Sequence, residues 1–257
     1  IISVKRDDMH FSIISNGILF TLDWIEQHLS KFDSAIISWG DQIFNLEALN
    51  ERQKVLFKTL KNLDMVSRKK VSLRIIITHE NIHFIKNLKK YLNNVCGFDN
   101  IIFQDFIPNN LDEVKYLPNI SDLIKFEEDM VREKIEKNLF YLNKVVKCGA
   151  LTSVLAIDSK GGIFPCQSFM GVDEFWIANI FDTDWYEKIK ASEKREFFRK
   201  HSVNNREVCH ECIFRNVCAG GCPAISYNLY GDLNHYPEYN CEYFQHNSAL
   251  VIKEASL

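Results

Sequence analysis

The cysteines of this chain are concentrated in its C-terminal half. Of the eight cysteines in 257 residues, seven lie between Cys148 and Cys241, and only Cys96 lies outside that interval. A chain of this length buries a large apolar core without covalent cross-links. In a reducing compartment, clustered thiols are more often metal ligands or catalytic groups than disulfides. The cysteines therefore predict a C-terminal region built around metal.

Composition and charge narrow the classes of partner. The chain is 46% apolar and 25% charged, which is typical of a folded protein. A formal charge of -3 gives no basic footprint for nucleic acid. No apolar run approaches the roughly 20 residues of a membrane helix, and the opening residues lack the layout of a signal peptide. We predict a cytoplasmic protein with no nucleic-acid and no membrane partner.

The first 110 or so residues alternate between β-branched runs and helical periodicity, which predicts an α/β fold with a parallel sheet or part of a barrel. The predicted strands are Phe11 to Ser15, Ala35 to Ser38, Val71 to Thr78 and Asn100 to Phe106. The predicted helices are Thr21 to Lys31, Leu46 to Leu63 and Ile82 to Asn94. Polar turns containing Asn16 and Ser38 follow the first two strands, where ligands of such folds bind. Because ordinary βα loops are also polar, these residues alone do not define a site.

After the first 110 or so residues, the alternation of strands and helices gives way to a different order of predicted elements. The predicted elements are a long amphipathic helix from Ser121 to Lys147, a hairpin of Leu151 to Asp158 with Gly162 to Gln167, a strand from Phe175 to Phe181, a helix from Asp184 to Lys200, and a last helix from Glu238 to Glu254. The change of pattern places a domain boundary within residues 119–147.

Four cysteines lie within 14 residues, in the order Cys209-x2-Cys212-x5-Cys218-x3-Cys222. Thiolates select zinc or iron-sulfur clusters. The pair Gly220-Gly221 allows backbone amides to approach cluster sulfides closely, which tunes a reduction potential and which zinc does not require. A closed four-cysteine site is also a common zinc design, so this loop alone leaves both metals open.

The complete order of cysteines adds Cys148-x12-Gly161-x4-Cys166 before the loop and Cys241 after it. This order resembles the SPASM domain, the C-terminal twin-cluster module of radical S-adenosylmethionine (radical SAM) peptide-modifying enzymes. The resemblance implies two auxiliary 4Fe-4S clusters. It assigns Cys209, Cys212, Cys218 and Cys241, the outer set, to the outer cluster. It assigns Cys148, Cys166 and Cys222, the inner set, to an inner cluster with one iron open to another ligand.

The first half is similar to the middle and end of the radical SAM barrel. The segments that carry the likeness are Met9 to Leu19, Ala35 to Asp41, Val71 to Asn81 and Asn100 to Pro108, although Ser38-Trp39-Gly40-Asp41 departs from the usual Ser-x-Asp-Gly. The resemblance implies a partial (β/α) barrel over residues 1–119 (strands 3–6), a linking helix over 120–147 and a small α+β SPASM domain over 148–257. It makes Asn16 and Ser38 candidate contacts to S-adenosylmethionine.

The motif that generates the radical is missing. Radical SAM chemistry uses a cluster held by Cys-x3-Cys-x2-Cys, and neither this spacing nor a Gly-Gly-Glu-Pro-like segment occurs here. The first residue is Ile rather than Met, and we expect a fragment whose N-terminus lies upstream; the alternative is a degenerate relative. S-adenosylmethionine and a third 4Fe-4S cluster are expected only with the N-terminal part, and this chain alone is expected to be inactive.

The resemblance also narrows the substrate. Sulfatase-maturing relatives carry an aspartate base directly after the hairpin cysteine, where this chain has Gln167. Glutamine does not act as a proton acceptor, which favours a ribosomally made precursor peptide and a thioether or carbon-carbon crosslink. A ferredoxin or flavodoxin is the expected reductant. The competing hypotheses are a non-catalytic iron-sulfur module that binds a peptide or transfers electrons, and a structural zinc protein.

Overall fold

The computed structural model describes residues 10–39, 49–132, 148–235, 241–242, 244–246 and 249. Within them, the chain divides into two compact units. The first contains residues 10–106 and 115–132, and the second contains residues 107–114 and the described residues from 148 onward.

The first unit is built on a four-stranded parallel sheet. Its strands are β1 (Ser12–Ser15), β2 (Ser34–Trp39), β3 (Val71–Ile77) and β4 (Ile101–Asp105), in the order β1-β2-β3-β4. All three pairings are parallel, so the carboxyl ends of the strands share one edge. The predicted α/β class and the four predicted strands are confirmed, with ends that differ by at most one residue.

The helices of this unit are α1 (Leu22–His28), α2 (Glu51–Lys61), α3 (Met65–Lys70), α4 (Ile85–Cys96) and α5 (Ile120–Arg132). The helix predicted from Leu46 begins only after Asn50, whose side chain accepts from the Gln53 amide at 2.8 Å while the Gln53 side chain accepts from the Asn50 amide. This capping box fixes the start of α2. Residues 46–48 and 133–147, parts of two predicted helices, lie outside the described residues.

The two faces of the sheet differ in chemistry. Along β3, burial alternates strictly, with Val71, Leu73, Ile75 and Ile77 buried. On this buried face, Trp39 of β2 stacks on Phe57 of α2 with ring centroids 5.6 Å apart. The opposite face carries polar side chains: Arg74 Nη2 donates to Ser38 Oγ at 2.7 Å, and Arg74 Nη1 lies 3.4 Å from Gln104 Oε1. Helices thus cover one face, and a polar network occupies the other.

The second unit contains a small antiparallel sheet. Its strands are β5 (Ala156–Ile157), β6 (Gly162–Phe164) and β7 (Ala178–Asn179). The predicted hairpin is present but shorter than expected. At its turn, Gly161 has φ +85°, and a Cβ there would lie 2.7 Å from Asn179 Oδ1, so only glycine fits. The predicted strand from Phe175 is also shorter, because Phe175 lies in a single 3-10 turn that packs its ring 4.1 Å from that of Phe169.

Between residues 148 and 235, this unit also contains five short helices: α6 (Trp185–Ala191), α7 (Glu193–Lys200), α8 (Glu207–His210), α9 (Arg215–Cys218) and α10 (Pro223–Tyr230). The single helix predicted from Asp184 to Lys200 is wrong, since extended backbone at Ser192 divides it. Ile189 and Phe198 lie nine residues apart, on opposite faces of a continuous helix. The break allows both to enter one apolar core with Phe169 and Phe175.

The last predicted helix, Glu238 to Glu254, lies mostly outside the described residues. Within the part of the chain that the structure describes, no helix combines the length and apolar character needed to cross a bilayer.

Candidate metal centre

Tight turns hold the segments that carry Cys148 and Cys166. The carbonyl of Gly149 accepts from the amides of the next three turn residues, Thr152, Ser153 and Val154, at 2.9 to 3.0 Å. Leu151 adopts φ +52°, and its amide donates to the carbonyl of Pro165 at 3.2 Å. This hydrogen bond joins the turn that follows Cys148 to the residue that precedes Cys166, so it brings the two segments together.

The second cysteine-bearing segment is a loop interrupted by two four-residue helices. Cys209 lies in α8, and the Cys212 amide donates to the Cys209 carbonyl at 3.1 Å. Cys218 ends α9, after which three residues in succession have positive φ: Ala219 (+55°), Gly220 (+74°) and Gly221 (+78°). Cys222 then precedes Pro223, the first residue of α10. The loop thus turns sharply between its third and fourth cysteines.

Backbone amides point at several of these sulfurs. The amides of Gly220 and Gly221 both interact with the Cys218 sulfur in the sense that lowers its pKa. Amides at the start of α10 do the same for Cys222, as does the Ala150 amide for Cys148. Hydrogen bonds of this kind favour the thiolate and tune the potential of an iron-sulfur cluster. The glycine pair thus acts on a cysteine sulfur, and its approach to cluster sulfides stays a prediction.

Burial acts against ionisation of the same thiols. It raises the pKa of Cys148 to about 11, and it also raises the pKa values of Cys218 and Cys222. The structure contains these cysteines as free thiols. A metal that replaces the thiol proton removes the penalty, since a bound metal stabilises the thiolate directly.

The inner set is linked by mutual electrostatics and by packing. After burial, the Cys222 and Cys166 sulfurs are the groups that raise the pKa of Cys148, and Cys166 also raises the pKa of Cys222. All three cysteines pack against the apolar core of the second unit. Cys148, Cys166 and Cys222 therefore border the same apolar core and lie within electrostatic range of one another.

The outer set shows a separate pattern of interactions. Besides burial, Cys209 and Cys241 raise the pKa of Cys218, while Cys241 and Cys212 raise that of Cys209. Cys212 in turn raises the pKa of Cys241, whose sulfur accepts from Gln245 Nε2 at 3.6 Å. The thiol-thiol interactions that shift pKa values in the described residues thus fall into the two predicted sets.

A buried arginine, not singled out from the sequence, lies against the turn between Cys218 and Cys222. Arg206 is 3% exposed; its Nη1 donates to the Gly220 carbonyl, and its Nη2 lies 3.0 Å from the Leu233 carbonyl and 3.2 Å from His201 Nε2. Gly220 leaves room for it, since a Cβ at position 220 would lie 3.0 Å from Arg206 Nη1. The sequence feature that could have indicated a role for Arg206 was its position, three residues before Cys209, the first cysteine of the loop.

The donor set fits iron-sulfur clusters. The two sets supply only soft thiolates, with amide donors and a buried cation beside them. Arg206 Nε is buried without a hydrogen-bond partner among the described residues. Within those residues, no three His, Cys, Asp or Glu side chains converge where a single metal ion could bind. The grouping of thiols therefore rests on their electrostatics and on the backbone that carries them.

The first unit contains the two candidate contacts to S-adenosylmethionine, Asn16 and Ser38, and a single arginine side chain contacts both residues. Arg52, in the first turn of α2, donates from Nε to the Asn16 carbonyl at 3.0 Å and from Nη2 to the Ser38 carbonyl at 2.8 Å. The Ser38 hydroxyl accepts from Arg74. Arg52 thus connects the carboxyl ends of β1 and β2. The sequence analysis missed Arg74, although a charged residue within the apolar run Val71–Ile77 was a signal for a polar sheet face.

Comparison with known proteins identifies a family likeness in part of the second unit. Residues 148–213 match the family model of SPASM, an iron-sulfur cluster-binding domain. The match includes Cys148, Cys166, Cys209 and Cys212 and ends before the other cysteines. Residues 148–213 are therefore similar to a SPASM domain; the predicted bounds of 148–257 stay a prediction.

Relatives extend the likeness to the first half. A cysteine-type anaerobic sulfatase-maturating enzyme of Clostridium perfringens is 24% identical over 177 residues, which are 66% of this chain and 42% of that protein. An uncharacterized protein of Archaeoglobus fulgidus is 37% identical over 98 residues, 38% of this chain and 23% of that protein. The chain is similar to both proteins, and it spans less than half the length of each.

Solved structures share the fold. A structure of anSMEcpe with bound AdoMet superposes with a TM-score of 0.66 at 19% identity, covering 95% of this chain and 71% of that chain. SuiB of Streptococcus suis with bound S-adenosylmethionine gives a TM-score of 0.56 at 17% identity, covering 83% of this chain and 55% of that chain. The predicted architecture, a partial barrel followed by a SPASM domain, is confirmed.

Proposed function

We propose that this chain is the portion of a radical SAM/SPASM enzyme that modifies a ribosomally synthesised peptide, forming a thioether or a carbon-carbon crosslink. In this proposal the outer set holds one auxiliary 4Fe-4S cluster and the inner set holds the other. The observation that carries it is the division of seven thiols into two electrostatically coupled sets, four of those thiols lying in the segment that matches the SPASM family model.

The residues of the chain have distinct tasks in this proposal. The outer set, with four thiolates, is complete. The inner set supplies three, so one iron position remains for water, a side chain or a substrate thiolate. When bound, such clusters supply one-electron transfer and a Lewis-acidic iron. The amides of Gly220 and Gly221 favour the thiolate of Cys218, and the apolar core beside the inner set excludes water.

Sulfatase maturation is the second candidate, since relatives in Clostridium perfringens carry that name. A structure of anSMEcpe contains AdoMet together with a Cp18Cys peptide, which supports a peptide partner for either candidate. Gln167, exposed directly after Cys166, separates the two. A base is needed to remove a proton from a substrate side chain, and an amide does not serve as one. Gln167 therefore favours crosslink formation.

Three further proposals concern the electron donor, the cellular compartment and the activity of this chain alone. Auxiliary clusters need a low-potential one-electron donor, for which a ferredoxin or a flavodoxin is suitable. The cysteines that the structure contains as free thiols are compatible with the reducing cytosol. Because the Cys-x3-Cys-x2-Cys motif does not occur in these 257 residues, we propose that this chain alone does not cleave S-adenosylmethionine.

The test begins with the gene. The proposal expects a Cys-x3-Cys-x2-Cys motif encoded within about 100 residues upstream of residue 1, since each βα unit takes about 30 residues. The protein that includes it should form 5'-deoxyadenosine from S-adenosylmethionine under dithionite, and the 257-residue chain should not. A stop codon directly upstream would favour the non-catalytic iron-sulfur module, and 5'-deoxyadenosine formed by the 257-residue chain would contradict the proposal.

A further inference from the structure

Arg206 is a buried cation to which the peptide-modifying function assigns no role. Its side chain is 3% exposed, and its hydrogen bonds go to two backbone carbonyls and to His201. Its Nε is buried and has no hydrogen-bond partner in the described residues. A charge removed from water destabilises a fold unless an opposite charge compensates it.

Cysteines of both sets lie close enough to Arg206 to affect the pKa of its guanidinium. Burial lowers the pKa of its guanidinium, and the groups that act against this effect are, in order, Cys209, Cys222, Cys218 and Asp232. Asp232 comes last and is exposed. Two of the three cysteines belong to the outer set, and Cys222 belongs to the inner set. Arg206 therefore lies within electrostatic reach of both sets.

The backbone reinforces this position. Gly220 lies in the turn between Cys218 of the outer set and Cys222 of the inner set, and its carbonyl accepts from Arg206. A side chain at position 220 would displace the guanidinium, because its Cβ would lie 3.0 Å from Nη1 and 3.1 Å from Val203 Cγ2. The same arginine thus holds the turn that separates the two sets and places a positive charge beside it.

We propose that Arg206 is a counter-charge shared by the two cysteine sets and that it raises the reduction potential of both clusters that these sets hold. The inference rests on the proposed function, since thiolates without a cluster accept no electron. One-electron reduction by a low-potential donor makes a cluster and its thiolates more negative by one unit. A buried positive charge stabilises that reduced state, because the field between charges is weakly screened in the interior.

The experiment measures potentials of the 257-residue chain reconstituted anaerobically with ferrous iron and sulfide. Dithionite titration in the presence of mediators, followed by EPR, gives the potential of each cluster. Arg206→Met should lower both potentials, by at least about tenfold in the equilibrium constant for reduction, which is about 59 mV for one electron. Arg206→Lys keeps the charge and should remain within about twofold of the parent chain, or about 18 mV.

Arg199→Met is the matched control. Arg199 is an arginine of the same unit, but its side chain is 58% exposed and pairs with Glu196 at 2.8 Å. Removal of its solvated charge should leave both potentials unchanged. If Arg206→Met assembles no clusters, Arg206→Lys becomes the decisive variant, and retention of both clusters at parental potentials would support the shared counter-charge.

Three results would overturn the inference. Arg206→Met could retain its iron and leave both potentials unchanged; Arg206→Lys could shift them as much as Arg206→Met; or Arg206→Lys could lose the clusters as completely as Arg206→Met. The latter two outcomes would make Arg206 purely structural. Failure of the proposed function is distinguishable, because the parent chain itself would then bind no iron with sulfide.

Discussion

Arg206 Nη2 lies 3.2 Å from His201 Nε2, and both side chains are buried. Since a guanidinium remains charged at all ordinary pH values, it donates to the imidazole and repels an imidazolium. Burial, followed by the charge of Arg206, lowers the pKa of His201 to about 4. The fold therefore requires the neutral form of His201.

This relationship predicts a pH dependence of stability. The pKa of His201 is lower in the folded chain than in the unfolded chain. The contribution of neutral His201 to the stability of the fold is therefore fully present above about pH 6.5. It is lost as the pH falls toward 4, where the unfolded chain binds a proton that the folded chain rejects. We expect the free energy of unfolding to fall by up to about 3 kcal/mol between these two pH values. Urea unfolding of the parent chain and of His201→Gln, compared across this range, measures it.

Two controls isolate the histidine. Glu196, near His201, pairs with Arg199 and Lys200, whose hydrogen bonds lower its pKa to about 2, so it stays ionised throughout the window. His79→Gln removes an exposed histidine and should retain the parental pH dependence. Equal pH dependence in the parent chain and in His201→Gln would contradict the prediction.

Gly220 offers a test of the turn between the two sets. Gly220→Ala should destabilise the fold for two reasons: positive φ costs about 1 to 2 kcal/mol in a residue with a Cβ, and the contact with Arg206 adds about 1 kcal/mol or more. Gly171→Ala is the matched control, because Gly171 has φ +82° and nothing within 4 Å of a built Cβ. Thermal melts of both variants give the difference, and equal losses would show that position 220 has room for a side chain.

Loss of single thiolates should separate the two sets. We expect Cys212→Ala to lose about four irons of the outer cluster, and Cys166→Ala to lose those of the inner cluster, with the other cluster retained in each case. Cys212→Ala should also be the less stable variant, because α8 buries none of its residues and the outer loop depends on metal for its fold. Iron analysis and thermal melts measure both effects. Loss of the same irons and the same stability in both variants would indicate a single shared site.

The polar face of the sheet gives a fourth prediction. Ser38→Ala removes the acceptor of the 2.7 Å hydrogen bond from Arg74 and should cost about 1 to 2 kcal/mol. Ser34→Ala is the control on the same strand, where the hydroxyl pairs with Ser12 in an exposed position, and it should cost less than about 1 kcal/mol. Urea unfolding compares the two, and an equal or larger effect at Ser34 would contradict a structural role for the Arg74 network.

The strands of the first unit were predictable because their signal is local. Val71–Ile77 is rich in β-branched residues, and half of its side chains enter the core, so sequence and burial agree. The division of α6 from α7 was not predictable in this way. It depends on Ile189 and Phe198 entering the same core, and that core includes aromatic residues from distant segments such as Phe169 and Phe175.

The candidate site likewise contains residues that were predictable from the sequence and one residue that was not. The cysteines are recognisable from the sequence by their type and spacing, and their assignment to two cluster-binding sets, which the family resemblance implies, stays a prediction. Arg206 carries no comparable signal, because an arginine near a loop is ordinarily a solvated side chain. Its burial results from tertiary contacts with Gly220 and Leu233, the second of which lies 27 residues away.

Iron, acid-labile sulfide and zinc in the anaerobically reconstituted 257-residue chain test the two-cluster site most directly. Two 4Fe-4S clusters predict about eight irons and about eight sulfides per chain, with a brown colour and no stoichiometric zinc. Stoichiometric zinc without sulfide would contradict the assignment of the seven cysteines to two iron-sulfur clusters and would make this a structural zinc protein.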